Sequence, residues 1–387
     1  MSTKGMSAKT IPTKTKVKVF TFLGLALMGL SLVPLRNLMS PLTTTATRPN
    51  PSRWERESLY NFDFVFKEMS QRLYPHGISL DSNQALIGKE GWFFLGDQLS
   101  ASGITNRRMG LTPKTELEVQ ETAMAFQAWK TWLNSKGINV FRILLGADKE
   151  SIYPEYLPDW AMPVRQSDIT DALISKTQGI YVDPRPALRA AKQNNQVYYQ
   201  LDTHWNHQGA WIAFQSWTDE LRQITKGEWL NHENIIFGIS QEKSYDVDLA
   251  RFIHLENHLS EPNRVITIRT KRPIEIEQYD FETGQLIASG GNPLLQAPKK
   301  PLHVKSKTAL NRKKVLWLRD SFGNAMAPLM AATFTDVLQV HYGEKPFQRL
   351  QSLVDAYQPD YVLMTIVERS SRSPSFALDT PMMQPSP

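Results

Sequence analysis

Residues 317–323, WLRDSFG, put a serine directly after an apolar run (residues 313–318, KKVLWL) and directly before a stretch of small residues (324–332). That pattern predicts strand, tight turn and helix. The Ser321 hydroxyl would be exposed on the turn, with the first helical N–H groups free to hold an oxyanion. The helix dipole favours negative charge at the same place. A plain N-cap at Asp320 or Ser321 is the bland reading of the same residues. What shifts the balance is residues 198–209, YYQLDTHWNHQG, where Asp202 and His204 stand two apart at the entrance to a helical pattern. A carboxylate so placed can fix the imidazole tautomer and stabilise its cation while the other ring nitrogen faces a hydroxyl. Ser321, His204 and Asp202 together make a triad for acyl transfer. Two further residues are candidates for substrate or oxyanion contact: Asn324, just after the serine turn, and Lys149, as a partner for an anionic polymer. A lysine between Asp148 and Glu150 is more simply a solvated charge. Asp202, His204 and His207 also spell D-x-H-x-x-H, a set that suits zinc. Spacing suggests no fourth ligand, so neither a metal nor a cofactor is expected.

The elements that must position these residues alternate in type. Residues 86–95 (LIGKEGWFFL) read as two short strands around a Gly turn, and Thr112-Pro113 opens a helical pattern that Gly137 closes. Strands follow at 139–146 and 179–183, helices at 186–193 and 210–221, and a last strand at 361–367. Strands alternating with helices predict an α/β fold, a mostly parallel sheet covered on both faces with its site at the carboxyl ends of the strands. Residues 227–312 break this rhythm. They are β-rich, with a hairpin expected at Glu282-Thr283-Gly284, and read as an insertion or cap.

The net charge of +6 is largely accounted for by Lys4, Lys9, Lys14, Lys16 and Lys18, so the charge gives no reason to expect a nucleic-acid partner. Cysteine is absent, which removes disulfides, thiolate metal sites and a thiol nucleophile. Residues 1–18 read as a basic tail expected to stay in the cytoplasm. Residues 19–35 (VFTFLGLALMGLSLVPL) are uncharged and match the about 17–25 residues of a transmembrane helix. No small-x-small cleavage site follows, which favours an uncleaved signal anchor with the bulk of the chain exported. Residues 36–53 read as a linker, 54–369 as the folded domain, and 370–387 as a disordered tail.

Six segments in one order carry a family resemblance: IGKEGWFFL (87–95), DKESIYPEYLP (148–158), YVDPRPALRAAK (181–192), LDTHWNHQGA (201–210), LRDSFGN (318–324) and PDYVLMTIVERS (359–370). From about residue 54 to 370 the chain resembles the AlgJ/AlgX family of SGNH hydrolase-like proteins of bacterial exopolysaccharide O-acetylation. The resemblance implies an SGNH-hydrolase-like fold, with Asp202, His204 and Ser321 as the triad. It also implies a polysaccharide acceptor, as in alginate acetylation, and an acetyl donor supplied by a membrane-bound O-acyltransferase. The place implied is the bacterial inner membrane, crossed once, with the domain in the periplasm. Where the general SGNH pattern has Gly before Asp-Ser, this chain has Arg319. Water as acceptor would make the same triad a carbohydrate acetyl esterase, and a non-catalytic scaffold with aromatic platforms is the rival from another class.

Overall fold

The computed structural model describes residues 13–40, 52–99, 104, 110–162, 168–245, 247–344, 346–373, 376 and 380–381. It divides into two compact units, Met1–Arg72 and Leu73–Pro387. In the first, one helix runs Thr13–Met39. Its apolar window, Phe20–Met39, is 20 residues long. At about 1.5 Å per residue that is about 30 Å, the thickness of a bilayer core. The helix outruns the expected boundary at residue 35 and ends where Pro41 biases Ser40 away from helical ψ. Most of the expected linker, residues 41–51, and the basic tail up to residue 12 lie outside the described residues.

The second unit contains strands β1 (Ala85–Ile87), β2 (Phe93–Leu95), β3 (Val140–Gly146), β4 (Tyr181–Val182), β5 (Ile235–Tyr245) and β6 (Glu261–Ile268). They are followed by β7 (Ile276–Asp280), β8 (Leu286–Ser289), β9 (Leu302–Ser306), β10 (Asn311–Arg319), β11 (Phe334–His341) and β12 (Tyr361–Val367). Eight of these form one sheet in the order β4-β3-β12-β10-β11-β9-β7-β8. The first five run parallel. Strands β9, β7 and β8 then extend the β11 edge antiparallel.

The sheet is therefore mixed, which corrects the expectation of a mostly parallel one. The reason lies in the connections: β7 joins β8 through residues 281–285, far too few for the crossover a parallel neighbour needs, and residues 307–310 are too few to bring β9 back to β10, past β11, in the same direction. The hairpin expected at residues 282–284 is the β7–β8 turn, where Gly284 takes a positive φ of 70°. Of the β-rich stretch, three strands thus belong to the main sheet, and β5 pairs with β6 outside it.

Alternation along the parallel strands sends Ile143, Leu145, Leu316, Leu318, Val362 and Met364 to one face, against Phe126, Trp129, Leu173 and Leu353 of three helices. Leu144, Val315, Trp317 and Leu363 go to the other, against Trp211, Phe214, Trp217 and Leu329. The carboxyl ends of β3, β10 and β12 lead directly into residues 147–149, 320–321 and 368–369. Packing also continues into the expected tail: Tyr181 donates to Ser371 O, and the Phe376 ring lies 5.2 Å from that of Phe126.

Candidate active site

Strand β10 lies between β11 and β12, so its end is fixed by ladders on both sides. Asp320 then turns the chain. It caps the 3-10 turn Ser321–Gly323 by accepting from Phe322 N at 2.9 Å, and its other oxygen accepts from Val367 N at 2.7 Å and Tyr342 OH at 2.9 Å. Gly323 is required, because a Cβ there would stand 2.7 Å from Arg319 Cδ. Arg319 explains the departure from the simple SGNH pattern. Fully buried, it donates to Gln339 Oε1, Asn324 Oδ1, Leu295 O and Gln296 O at 2.8–3.0 Å. Burial brings its pKa down to about 9. The guanidinium ties the chain at 295–296 to the underside of the serine turn.

Asp202 and His204 come from a loop closed by a bridge between Tyr198 and Trp205, after which Asn206 caps helix His207–Ile224. Gly209 lets that helix press on the bridge, since a Cβ would meet Val197 O at 2.2 Å. Asp202 Oδ1 lies 2.7 Å from His204 Nδ1 and accepts from His204 N at 2.9 Å. His204 Nε2 lies 2.7 Å from Ser321 Oγ. A carboxylate on Nδ1 keeps the proton there and leaves Nε2 as the acceptor for the serine O–H. The Trp205 indole donates to Phe322 O at 3.0 Å and ties loop to turn. Burial opposes a charged His204, but the bond and charge of Asp202, with Asp248 behind, hold its pKa above the usual histidine value. Burial likewise opposes ionised Asp202, and its bonds to His204 hold its pKa below the usual carboxylate value.

Two candidates occupy other places than expected. Lys149 faces no solvent. It is 3% exposed, and its Nζ donates to Phe93 O at 2.7 Å and Gln200 O at 2.9 Å, close to the rings of Trp92 and Phe94. Burial lowers its pKa to about 8. It is a brace beneath the Asp202 loop and not a contact for a polymer, because the β1–β2 hairpin covers it. Asn324 lies beside the turn, yet its amide donates to Gln296 Oε1 at 2.7 Å, so it is already engaged. Of the N–H groups that open the Ser321–Gly323 turn, those of Phe322 and Gly323 are engaged by Asp320 Oδ1 and Asp320 O, against the expectation of several free donors, which leaves that of Ser321 as the candidate oxyanion donor.

Two acids that no spacing announced complete the loop. Glu261 accepts from Gln200 N at 2.6 Å and Leu201 N at 2.9 Å. Asp248 accepts from Thr203 N and Oγ1, gives its N–H to Asp202 Oδ2 at 3.1 Å, and lies 3.8 Å from His204 Nδ1. Burial, then the Asp202 charge, raise the Asp248 pKa. Among the described residues, Asp202, His204 and Asp248 are also the group whose potential ligand atoms lie within 4.8 Å of one another. Protein donors already engage both carboxylates, and His207, the third residue of the D-x-H-x-x-H set, is not in the group. His207 is buried at the start of its helix, and burial lowers its pKa to about 4.

A parallel-centred sheet with a serine turn at the end of a central strand defines an SGNH hydrolase-like α/β protein. A sequence model of the SGNH hydrolase-like domain of the acetyltransferase AlgX matches residues 85–293, more than half of the 387, and the chain belongs to that family. The matched span holds Asp202 and His204 but stops short of Ser321. The chain is 21% identical over 244 residues to a probable alginate O-acetylase AlgJ of Pseudomonas aeruginosa, a match covering 60% of this chain and 56% of that protein. A second probable alginate O-acetylase AlgJ, of Pseudomonas syringae pv. tomato, is 24% identical over 285 residues, covering 70% and 67%. The chain thus spans little more than half the length of the first of these relatives. Among solved structures, Bacillus cereus PatB1 with a sulfonyl adduct superposes with a TM-score of 0.55 at 15% identity, covering 76% of this chain and 98% of that one. A DHHW family protein from Eubacterium siraeum gives 0.54 at 15%, covering 79% and 98%. These two likenesses concern the fold.

Proposed function

We propose that this chain is an O-acetyltransferase acting on a bacterial exopolysaccharide through an acetyl-enzyme at Ser321. The observation that carries the reading is the unbroken line Asp202–His204–Ser321, with both bonds at 2.7 Å. Ser321 Oγ attacks the carbonyl carbon of an acetyl ester as its proton passes to His204 Nε2, and the Ser321 N–H at the start of the turn holds the oxyanion. Collapse expels the donor alkoxide, which takes the proton from His204. A sugar hydroxyl then gives its proton to His204, attacks the acetyl-enzyme, and leaves acetylated as Ser321 recovers its proton. The AlgJ relatives support a polyuronate acceptor of the alginate kind. The exposed Phe20–Met39 helix, with lysines before it, supports single-pass anchoring in the inner membrane and a periplasmic domain. A membrane-bound O-acyltransferase is the proposed source of acetyl groups.

The test uses an activated aryl acetate, whose good leaving group lessens the need for a correctly bound donor. The wild-type chain should release the aryl alcohol and gain the mass of one acetyl group, and Ser321→Ala should do neither. Uronate oligomers should speed turnover and become acetylated. Turnover indifferent to added sugar would make the chain an esterase, and equal rates for folded wild type and Ser321→Ala would leave only a scaffold.

A further inference from the structure

We propose that residues 52–73 form an interfacial collar, laid in the phospholipid headgroup layer where the Phe20–Met39 helix leaves the bilayer. The inference rests on the membrane reading of that helix and goes beyond it. Three ties pin the segment to the end of the apolar window. Asn37 Nδ2 donates to Leu59 O and Asn61 O, both at 2.9 Å. Arg53 Nη1 donates to Leu38 O at 2.7 Å and Ser40 O at 2.8 Å. The Arg36 guanidinium sits 3.7 Å from the centre of the Phe64 ring. The chain that follows the span is therefore at the level of residues 36–40 at Arg53, Leu59, Asn61 and Phe64.

Its exposed side chains are those that suit this depth. Trp54 is 75% exposed, and Tyr60, Phe62 and Met69 are 43% to 46% exposed. Phe62 and Met69 are seven positions apart, about two turns, and Phe62 O accepts the first bonds of the helix Asp63–Leu73, so the two share one face. From Phe64 to Met69 that helix advances only about 8 Å, comparable to the roughly 5–8 Å of headgroup layer on each side of a bilayer. Exposed rings clustered in water are unfavourable, whereas Trp and Tyr, apolar with one polar end, prefer the membrane–water boundary. Glu55, Arg56, Glu57, Asp63, Lys67 and Glu68 stand between them, charges of both signs as a layer of charged headgroups allows. The occupant is thus the phospholipid surface continuous with the span.

The chain has no cysteine, so single thiols can be introduced without removing any. The full chain, reconstituted in phosphatidylethanolamine–phosphatidylglycerol vesicles, is spin-labelled at Phe62→Cys, Met69→Cys, Glu68→Cys or Leu27→Cys. Collision rates with oxygen and with a water-soluble nickel chelate are then compared. Labels at 62 and 69 should show an oxygen-to-nickel ratio several-fold higher than the label at 68. Ratios at 62 and 69 equal to that at 68, or shielding from both reagents by a protein partner, would overturn the collar while Leu27 still reads as lipid-embedded. A nickel-accessible Leu27 would instead overturn the membrane span, and the collar with it.

Discussion

The serine turn and the Asp202–His204 loop meet at one hydrogen bond but are held in place by different means. Ser321 follows the nine-residue strand β10, and the ladders to β11 and β12 fix where that strand ends. The loop carrying Asp202 has one bridge and backbone bonds from Phe93 N to Gln200 O and from Ala250 N to Leu201 O, and is otherwise held by buried charge. Lys149 draws on Gln200 O, Glu261 takes the N–H groups of Gln200 and Leu201, and Asp248 holds Thr203 while donating to Asp202. Backbone ladders hold the proposed nucleophile, whereas mainly side-chain charges hold its proposed base. An error in the second kind of support moves the base without unfolding the sheet, which makes the contrast testable.

The largest effect expected within the loop is that of Asp202→Asn. The bond to Nδ1 can survive, but the tautomer and the charge that stabilises imidazolium are lost, so kcat for aryl acetate should fall about 10³- to 10⁴-fold with the fold intact by circular dichroism. A loss under tenfold would mean that the ladder-held turn alone carries the reaction. Lys149→Met comes next. It strips the carbonyls of Phe93 and Gln200 of a donor, and since Gln200 O keeps Phe93 N at 2.9 Å the cost should be about 1–3 kcal/mol in all. Urea unfolding should show that loss, and kcat/KM of the protein that remains folded should drop about tenfold as Asp202 shifts. Lowered stability with unchanged kcat/KM would break the comparison.

Asp248→Asn gives the smallest effect, and its signature is a pH shift. His204 must be neutral to accept the serine proton, so kcat/KM rises with pH through the His204 pKa. That pKa is held above the usual value of about 6.5 partly by the Asp248 charge. Removing the charge lowers it, and the acid limb of the profile should move to lower pH while the plateau changes less than tenfold. A limb that stays in place would show that Asp248 acts only through its N–H and its hold on Thr203.

Much of this was legible in the chain itself. The residue types D-x-H and strand-Ser-helix mark the proposed acyl-transfer site, because few side chains can serve as nucleophile, base and orienting acid, and the alternation of apolar runs marks the parallel core. What could not be read locally depends on contacts between distant residues. Lys149 sits between two acids and looks solvated, yet packing of the β1–β2 hairpin and the Gln200 carbonyl buries it. Asp248 and Glu261 act on residues 45 and 61 positions away, and no spacing marks them. The β-rich stretch after residue 227 has a pattern equally suited to a separate cap or to a sheet edge. Only the open flank of β11 decided that β9, β7 and β8 would join it. Periodicity is a property of neighbours along the chain, whereas burial and strand pairing are settled by which surfaces the folded chain brings together.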